Sequence, residues 1–142
     1  MRGAAPATGP VLGIDPGTHK CGYAVTLAVD AEPLAIGIVA PGALAATLLP
    51  LVRAHGVRAI ALGSGTHTAE IRARLQPLGL AVYAVDERET TLLARRRYFR
   101  AHPPRGWRRL LPLGMQLPPR PIDDFAALLI AERYLASNLS GS

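Results

Sequence analysis

Cysteine is almost absent from this chain of 142 residues, Cys21 being the only one. A single thiol cannot close an internal disulfide, and no group of Cys and His has structural-zinc spacing, so a stapled secreted scaffold and a zinc ribbon are both excluded. The same scarcity predicts a reducing, cytoplasmic setting. Long apolar runs are also missing. Arg, Asp, Gly and Pro interrupt every stretch before the roughly 18–20 residues that a bilayer requires, which predicts a soluble protein. Met1 to Pro10 holds one Arg and no apolar signal-peptide core. Its Ala, Pro, Gly and Thr predict a flexible tail over 1–10, ahead of one domain over 11–142.

Arginine, by contrast, is abundant. The chain carries 16 basic and 10 acidic residues, a formal charge of +6, and Lys20 is its one lysine. From Arg88 to Arg120 nine Arg stand against a single acid, Glu89, while the remainder is slightly acidic. Such a stripe is the electrostatic footprint of a polyanion, because guanidinium groups that neutralise phosphates release condensed counterions. Arg88, Arg95, Arg96, Arg97, Arg100, Arg105, Arg108, Arg109 and Arg120 are therefore candidate nucleic-acid contacts. Tyr98, Phe99 and Trp107 interleave with them and could stack on bases, although Tyr98 and Phe99 adjoin on an expected helix and at least one should pack inward. The plainer alternative is a solvated helix face.

Apolar patterning predicts an α/β fold. Val11 to Asp15 is a short strand stopped by Pro16-Gly17, and Gly22 to Val29 and Leu34 to Val39 continue it as an antiparallel meander. Gly42 to His55 has helical spacing, with Leu44, Leu48, Leu51 and Val52 on one face and Gly56 as its stop. Strands at Arg58–Leu62 and Leu80–Val85 then alternate with helices at Thr68–Leu75 and Glu89–Arg100. Such alternation implies parallel crossovers, giving a five-stranded mixed sheet covered by helices. Prolines between Ala101 and Pro121 forbid regular structure and leave a long basic loop, after which Ile122 to Ala136 closes the chain as a helix.

Several acids fall where chemistry could use them. Asp15 ends the first strand, held by the sheet yet facing an open rim, and Glu87 follows the fifth strand in the same way. Asp123 and Asp124 lie in the first turn of the last helix, where the helix dipole favours acids whatever their function, so spacing alone leaves the two equivalent. Hard divalent cations want oxygen ligands, and a two-metal site, its ions roughly 3.5–4 Å apart, clamps the attacking and leaving oxygens of an in-line phosphoryl displacement. Asp86 reads equally well as a helix cap or a partner of Arg88. The Thr18-His19-Lys20 turn offers backbone amides and the ammonium of Lys20 to a phosphate, or else is an exposed hairpin tip. His19, His67 and His102 lack partners at ligand spacing, and Ser64 has no base beside it in sequence.

These motifs resemble a known family. Val11-Leu-Gly-Ile-Asp-Pro-Gly-Thr-His-Lys-Cys-Gly-Tyr-Ala-Val25 is similar to the first motif of the RuvC and YqgF nucleases. Asp86-Glu-Arg-Glu-Thr-Thr91 resembles the Asp-Glu-Arg motif of YqgF proteins, and Ile122-Asp-Asp-Phe-Ala-Ala127 the motif that opens their last helix. The order agrees, and the stretch from Asp86 through Leu135 is similar to a bacterial subgroup of pre-16S ribosomal RNA processing nucleases. The first motif is shared with actin-like ATPases and sugar kinases, but that fold needs two such domains and this length holds one. The resemblance implies an RNase H-like fold with Asp15, Glu87 and Asp123 as catalytic ligands of Mg²⁺ or Mn²⁺, and it separates Asp123 from Asp124, where the family needs no acid. Two departures stand out. Leu62-Gly-Ser-Gly-Thr66 replaces the usual Gly-Leu-Pro after strand four, and the further RuvC ligand position holds Arg120.

The expected function is thus metal-dependent hydrolysis of structured nucleic acid, with precursor 16S ribosomal RNA as substrate and branched DNA (the Holliday junction) or single-stranded DNA as the alternative. A homodimer stands among the partner expectations and a membrane does not. The rival from another class is a ribosome-assembly factor that binds nucleic acid and cleaves nothing.

Overall fold

The five β-rich runs form a single sheet in the computed structural model, which describes residues 9–65, 68–86, 90–103 and 123–140. The strands are β1 (Val11–Asp15), β2 (Cys21–Thr26), β3 (Ala35–Val39), β4 (Ala59–Gly63) and β5 (Val82–Val85), in spatial order β3-β2-β1-β4-β5. β1, β2 and β3 are antiparallel, whereas β4 pairs with β1 and β5 with β4 in parallel, as the alternation of strands and helices requires. The helices are α1 (Leu44–His55), α2 (Thr68–Leu75), α3 (Thr90–Ala101) and α4 (Asp123–Ser140). Gly56 ends α1 at φ 65°, the left-handed conformation that a helix stop favours, and its N–H donates to the Val52 carbonyl. Among the described residues no helix is long and apolar enough to cross a membrane.

Some element ends differ from expectation. β2 stops at Thr26 instead of Val29, because five-residue β3 gives it no further partner and the chain turns through Asp30 at φ 62°. Leu27 and Val29 are left exposed in that turn. High β-propensity marks residues that suit a pleated surface, but a strand needs a neighbour to pair with. β5 begins at Val82 where Leu80 was expected, and α4 runs on to Ser140. The basic loop falls almost wholly on residues 104–122, outside the described set.

Strand alternation assigns the two faces. Leu12, Ile14, Cys21, Val25, Ile60 and Leu62 point to one side, where α1 and α2 contribute Leu44, Leu48, Ile71 and Leu75 to the larger core. The opposite parity carries Val11, Ala59, Ala61 and the half-buried Tyr83 and Val85, and α4 covers them with Ile130, Ala131, Tyr134 and Leu135. Asp15 shares the parity of Val11 and Gly13 and therefore lies on the α4 side.

Two glycines on that face let α4 come close. A Cβ on Gly13 would strike the Ala127 carbonyl, and one on Gly22 would strike the Asp123 carbonyl. Gly22 is also the residue opposite Asp15 in the β1–β2 ladder. The approach of α4 to the sheet and the spacing between Asp15 and Asp123 are thus set at one point. Gly22→Ala is expected to destabilise the protein by about 1–3 kcal/mol, the usual cost of overpacking, and to lower the activity of the fraction that still folds. Gly13→Ala should cost similar stability with a smaller loss of activity per folded molecule, which urea titration combined with active-fraction assays would measure.

Candidate metal and nucleic-acid site

Asp15 is the last residue of β1, held in place by pairing with Gly22, and Asp123 is the first residue of α4, whose N-terminal turn rests on that same glycine. Both acids line one open cavity of about 230 Å³, together with Pro16, Gly17, Thr18, His19 and Lys20. Lys20 Nζ lies 3.9 Å from Asp123 Oδ2. The turn that follows Asp15 therefore forms part of the site wall. Asp124 is separated from it: it is buried, does not line the cavity, and its Oδ1 accepts the Phe125 N–H at 2.9 Å. Helix rotation thus distinguishes the two neighbouring acids that spacing left equivalent.

Glu87 lies outside the described residues. The chain leading to it is described, however, and β5 reaches the same rim. Gly63 pairs with Val85, and Ile14 with Leu62, so Val85 stands at the level of Asp15 two strands away, about 10 Å at the usual strand spacing. Beyond Val85, the Asp86 carbonyl accepts a hydrogen bond from Arg133 Nη1 on α4. That helix consequently begins at one candidate ligand and, ten residues later, holds the backbone beside another. Among the described residues no group of three His, Cys, Asp or Glu is placed to hold a metal ion.

Cys21 is buried beneath the rim, its thiol 3.9 Å from the Gly17 carbonyl. Burial pushes its pKa above the ordinary thiol value, and the negative charges of Asp15 and Asp123 add to the effect against the opposing Gly17 contact. The folded protein should react slowly with Ellman's reagent at pH 8 and at the free-thiol rate once unfolded. Because the folded-state pKa is raised, the thiol adds no pH dependence of stability below the unfolded-chain value of about 8.5, and its contribution is lost as pH climbs above that.

The basic residues divide. Arg96 and Arg100 are exposed on α3, with Arg100 Nη2 3.4 Å from Asp30 Oδ1, and α3 also carries Arg95. Arg97 differs, with a side chain only 12% exposed. Its Nη1 donates to both oxygens of Glu132 at 2.9 and 2.8 Å, and its Nη2 to the Ala31 carbonyl at 3.3 Å. Glu132 Oε2 also accepts the Asp30 N–H at 3.0 Å, so α3, α4 and the β2–β3 turn meet at one buried ion pair. The arginine fork at position 97 is committed inside the protein. Of the aromatic candidates, Tyr98 is buried against Phe125 and stacks on His102, while Phe99 is half-buried. Arg88, Arg105, Arg108, Arg109, Arg120, Trp107 and His67 lie outside the described residues.

Glu132 and Arg133 escaped the reading of the sequence. A signal for Glu132 was there: it falls on the same helical stripe as Phe125 and Leu128, and an acid on an apolar stripe calls for a buried cation. Nothing local marks Arg133, whose acceptor is a backbone carbonyl 47 residues away in sequence.

Among solved structures, RuvC of Thermus thermophilus in complex with a Holliday junction substrate is similar to this chain at TM-score 0.62 and 21% identity, over 93% of this chain and 96% of that one. A second RuvC structure from the same organism gives 0.59 and 19% over the same shares. No family profile matches the sequence, and none of the curated proteins does. The chain has the fold of these RuvC structures, an RNase H-like five-stranded mixed sheet flanked by helices.

Proposed function

We propose that this chain is a divalent-metal-dependent nuclease of structured nucleic acid, working in a reducing cytoplasm. The observation that carries the reading is the convergence of Asp15 and Asp123, 108 residues apart in sequence, on one small cavity at the sheet rim. Glu87, two residues past the end of β5 at that rim, is the third carboxylate of the proposed set.

The donor chemistry fits Mg²⁺ or Mn²⁺. Carboxylates from a strand end and a helix start supply hard oxygen ligands, and an open cavity leaves room for water and a phosphate. When bound, such ions supply the Lewis acidity that activates water and offsets charge on the departing oxygen of a phosphodiester. The protein's own part is placement. The β1–β2 ladder fixes Asp15, contact with Gly22 fixes the start of α4 and hence Asp123, and Arg133 holds the backbone before Glu87. Arg96 and Arg100 give the exposed face of α3 two cations for a phosphate backbone, contacts that orient a substrate without selecting its sequence.

Two substrates compete. The Asp86-Glu-Arg motif favours precursor 16S ribosomal RNA. The fold shared with RuvC in complex with a Holliday junction substrate favours branched DNA. Purified protein is expected to cleave members of a panel of structured RNA, single-stranded DNA and four-way junctions only when Mn²⁺ or Mg²⁺ is added, and the preferred member identifies the substrate. Binding without cleavage across the whole panel would replace this reading with that of an assembly factor.

A further inference from the structure

We infer that Lys20 is the resident counter-cation of Asp123, displaced from it when a divalent ion binds and thereby made available to the nucleic-acid backbone. The inference rests on the metal-dependent reading above and adds a coupling between metal and substrate that the reading does not contain.

Two carboxylates facing one small cavity repel each other unless a positive charge lies nearby. Among the described residues, Lys20 is the basic side chain that lines the cavity with them, apart from His19. Its backbone is fixed, because Cys21 follows at once, is fully buried, and pairs with Val39 at the first rung of the β2–β3 ladder. Its ammonium is not. Nζ stands 3.9 Å from Asp123 Oδ2, beyond hydrogen-bond distance, with the two side chains 49% and 32% exposed. A loose, partly solvated pair of this kind is worth little and is easily parted. Lysine suits the role, being a compact charge on a flexible four-carbon stem.

If Asp15 and Asp123 held a divalent ion, the ammonium of Lys20 would be disfavoured beside Asp123 and would swing away on its flexible stem. The freed side chain remains tethered at the cavity wall, where a phosphodiester approaching the carboxylates would meet it. By linkage the effect is reciprocal: a phosphate that draws Lys20 away leaves Asp123 more available to the metal. Each ligand therefore strengthens the other.

The test is calorimetric titration of Mn²⁺ into the wild-type protein, Lys20→Met and Lys20→Arg, without nucleic acid. Lys20→Met should bind Mn²⁺ about two- to fivefold more tightly, the range a loose and partly solvated pair can contribute, while Lys20→Arg stays near wild type. In parallel, a four-way DNA junction with a cleavage-resistant phosphorothioate backbone should bind more tightly with Mn²⁺ than without, and Lys20→Met should lose most of that increment. Unchanged or weaker Mn²⁺ binding by Lys20→Met overturns the inference and leaves the nuclease reading intact. A wild-type protein that binds no Mn²⁺ overturns both, and the two failures are thus told apart.

Discussion

Asp15→Asn is expected to abolish Mn²⁺-dependent cleavage, with a loss of at least roughly 10³-fold, since losing even an outer-shell partner of a metal ligand typically costs about 10–100-fold. The amide keeps the size of the carboxylate and sits at a strand end whose backbone stays paired with Gly22, so melting temperature should move little. Measured without divalent metal, affinity for nucleic acid should hold or rise slightly, because a negative charge is removed from a site that phosphates approach. Asp123→Asn should behave the same way. Asp124→Leu should not: that side chain is buried and accepts the Phe125 N–H, an acceptor that leucine lacks, so its effect belongs mainly to stability, at about 1–3 kcal/mol. Single-turnover cleavage and filter binding on the three variants would decide the matter. Wild-type cutting rates in Asp15→Asn would remove the metal mechanism altogether.

Arg97→Met should cost about 3–5 kcal/mol of folding stability, the usual consequence of stranding one half of a buried ion pair. Both side chains are nearly out of water, at 12% and 9% exposure, and among the described residues Glu132 would keep the Asp30 N–H as its partner. Adding Glu132→Leu should restore much of the loss, because a packed apolar pair avoids the desolvation of two charges. Urea unfolding of the single and double variants measures both effects. Nucleic-acid affinity of the folded Arg97→Met protein should stay close to wild type, whereas Arg96→Ala and Arg100→Ala should weaken binding and flatten its salt dependence. If Arg97→Met lost affinity at full stability, position 97 would belong to the interface after all.

Much of this architecture was legible because periodicity is a local property. Val11 to Asp15 reads as a strand from five adjacent residues, and Leu44 and Leu48 announce the buried side of α1 from their spacing. The limits were just as local. Leu27 and Val29 look like strand residues but face solvent, since pairing depends on what β3 can offer and not on their own chemistry. Arg97 is indistinguishable in sequence from Arg96, yet one fork is buried on Glu132 and the other is exposed, because each step along a helix turns the side chain by about 100°. Asp123 and Asp124 part for the same reason.

The sequence by itself determined the order of strands and helices along the chain, the mixed sheet that their alternation implies, and the concentration of positive charge after Arg88. These depend on neighbours a few residues apart. Only the tertiary structure decided that Asp15 and Asp123 share a cavity, that Lys20 faces them, that Gly22 is the contact setting their spacing, and that Arg97 is internal. All four depend on how α4 crosses the sheet, and that crossing is fixed by close packing between segments about a hundred residues apart, where no short-range pattern in the chain can record it.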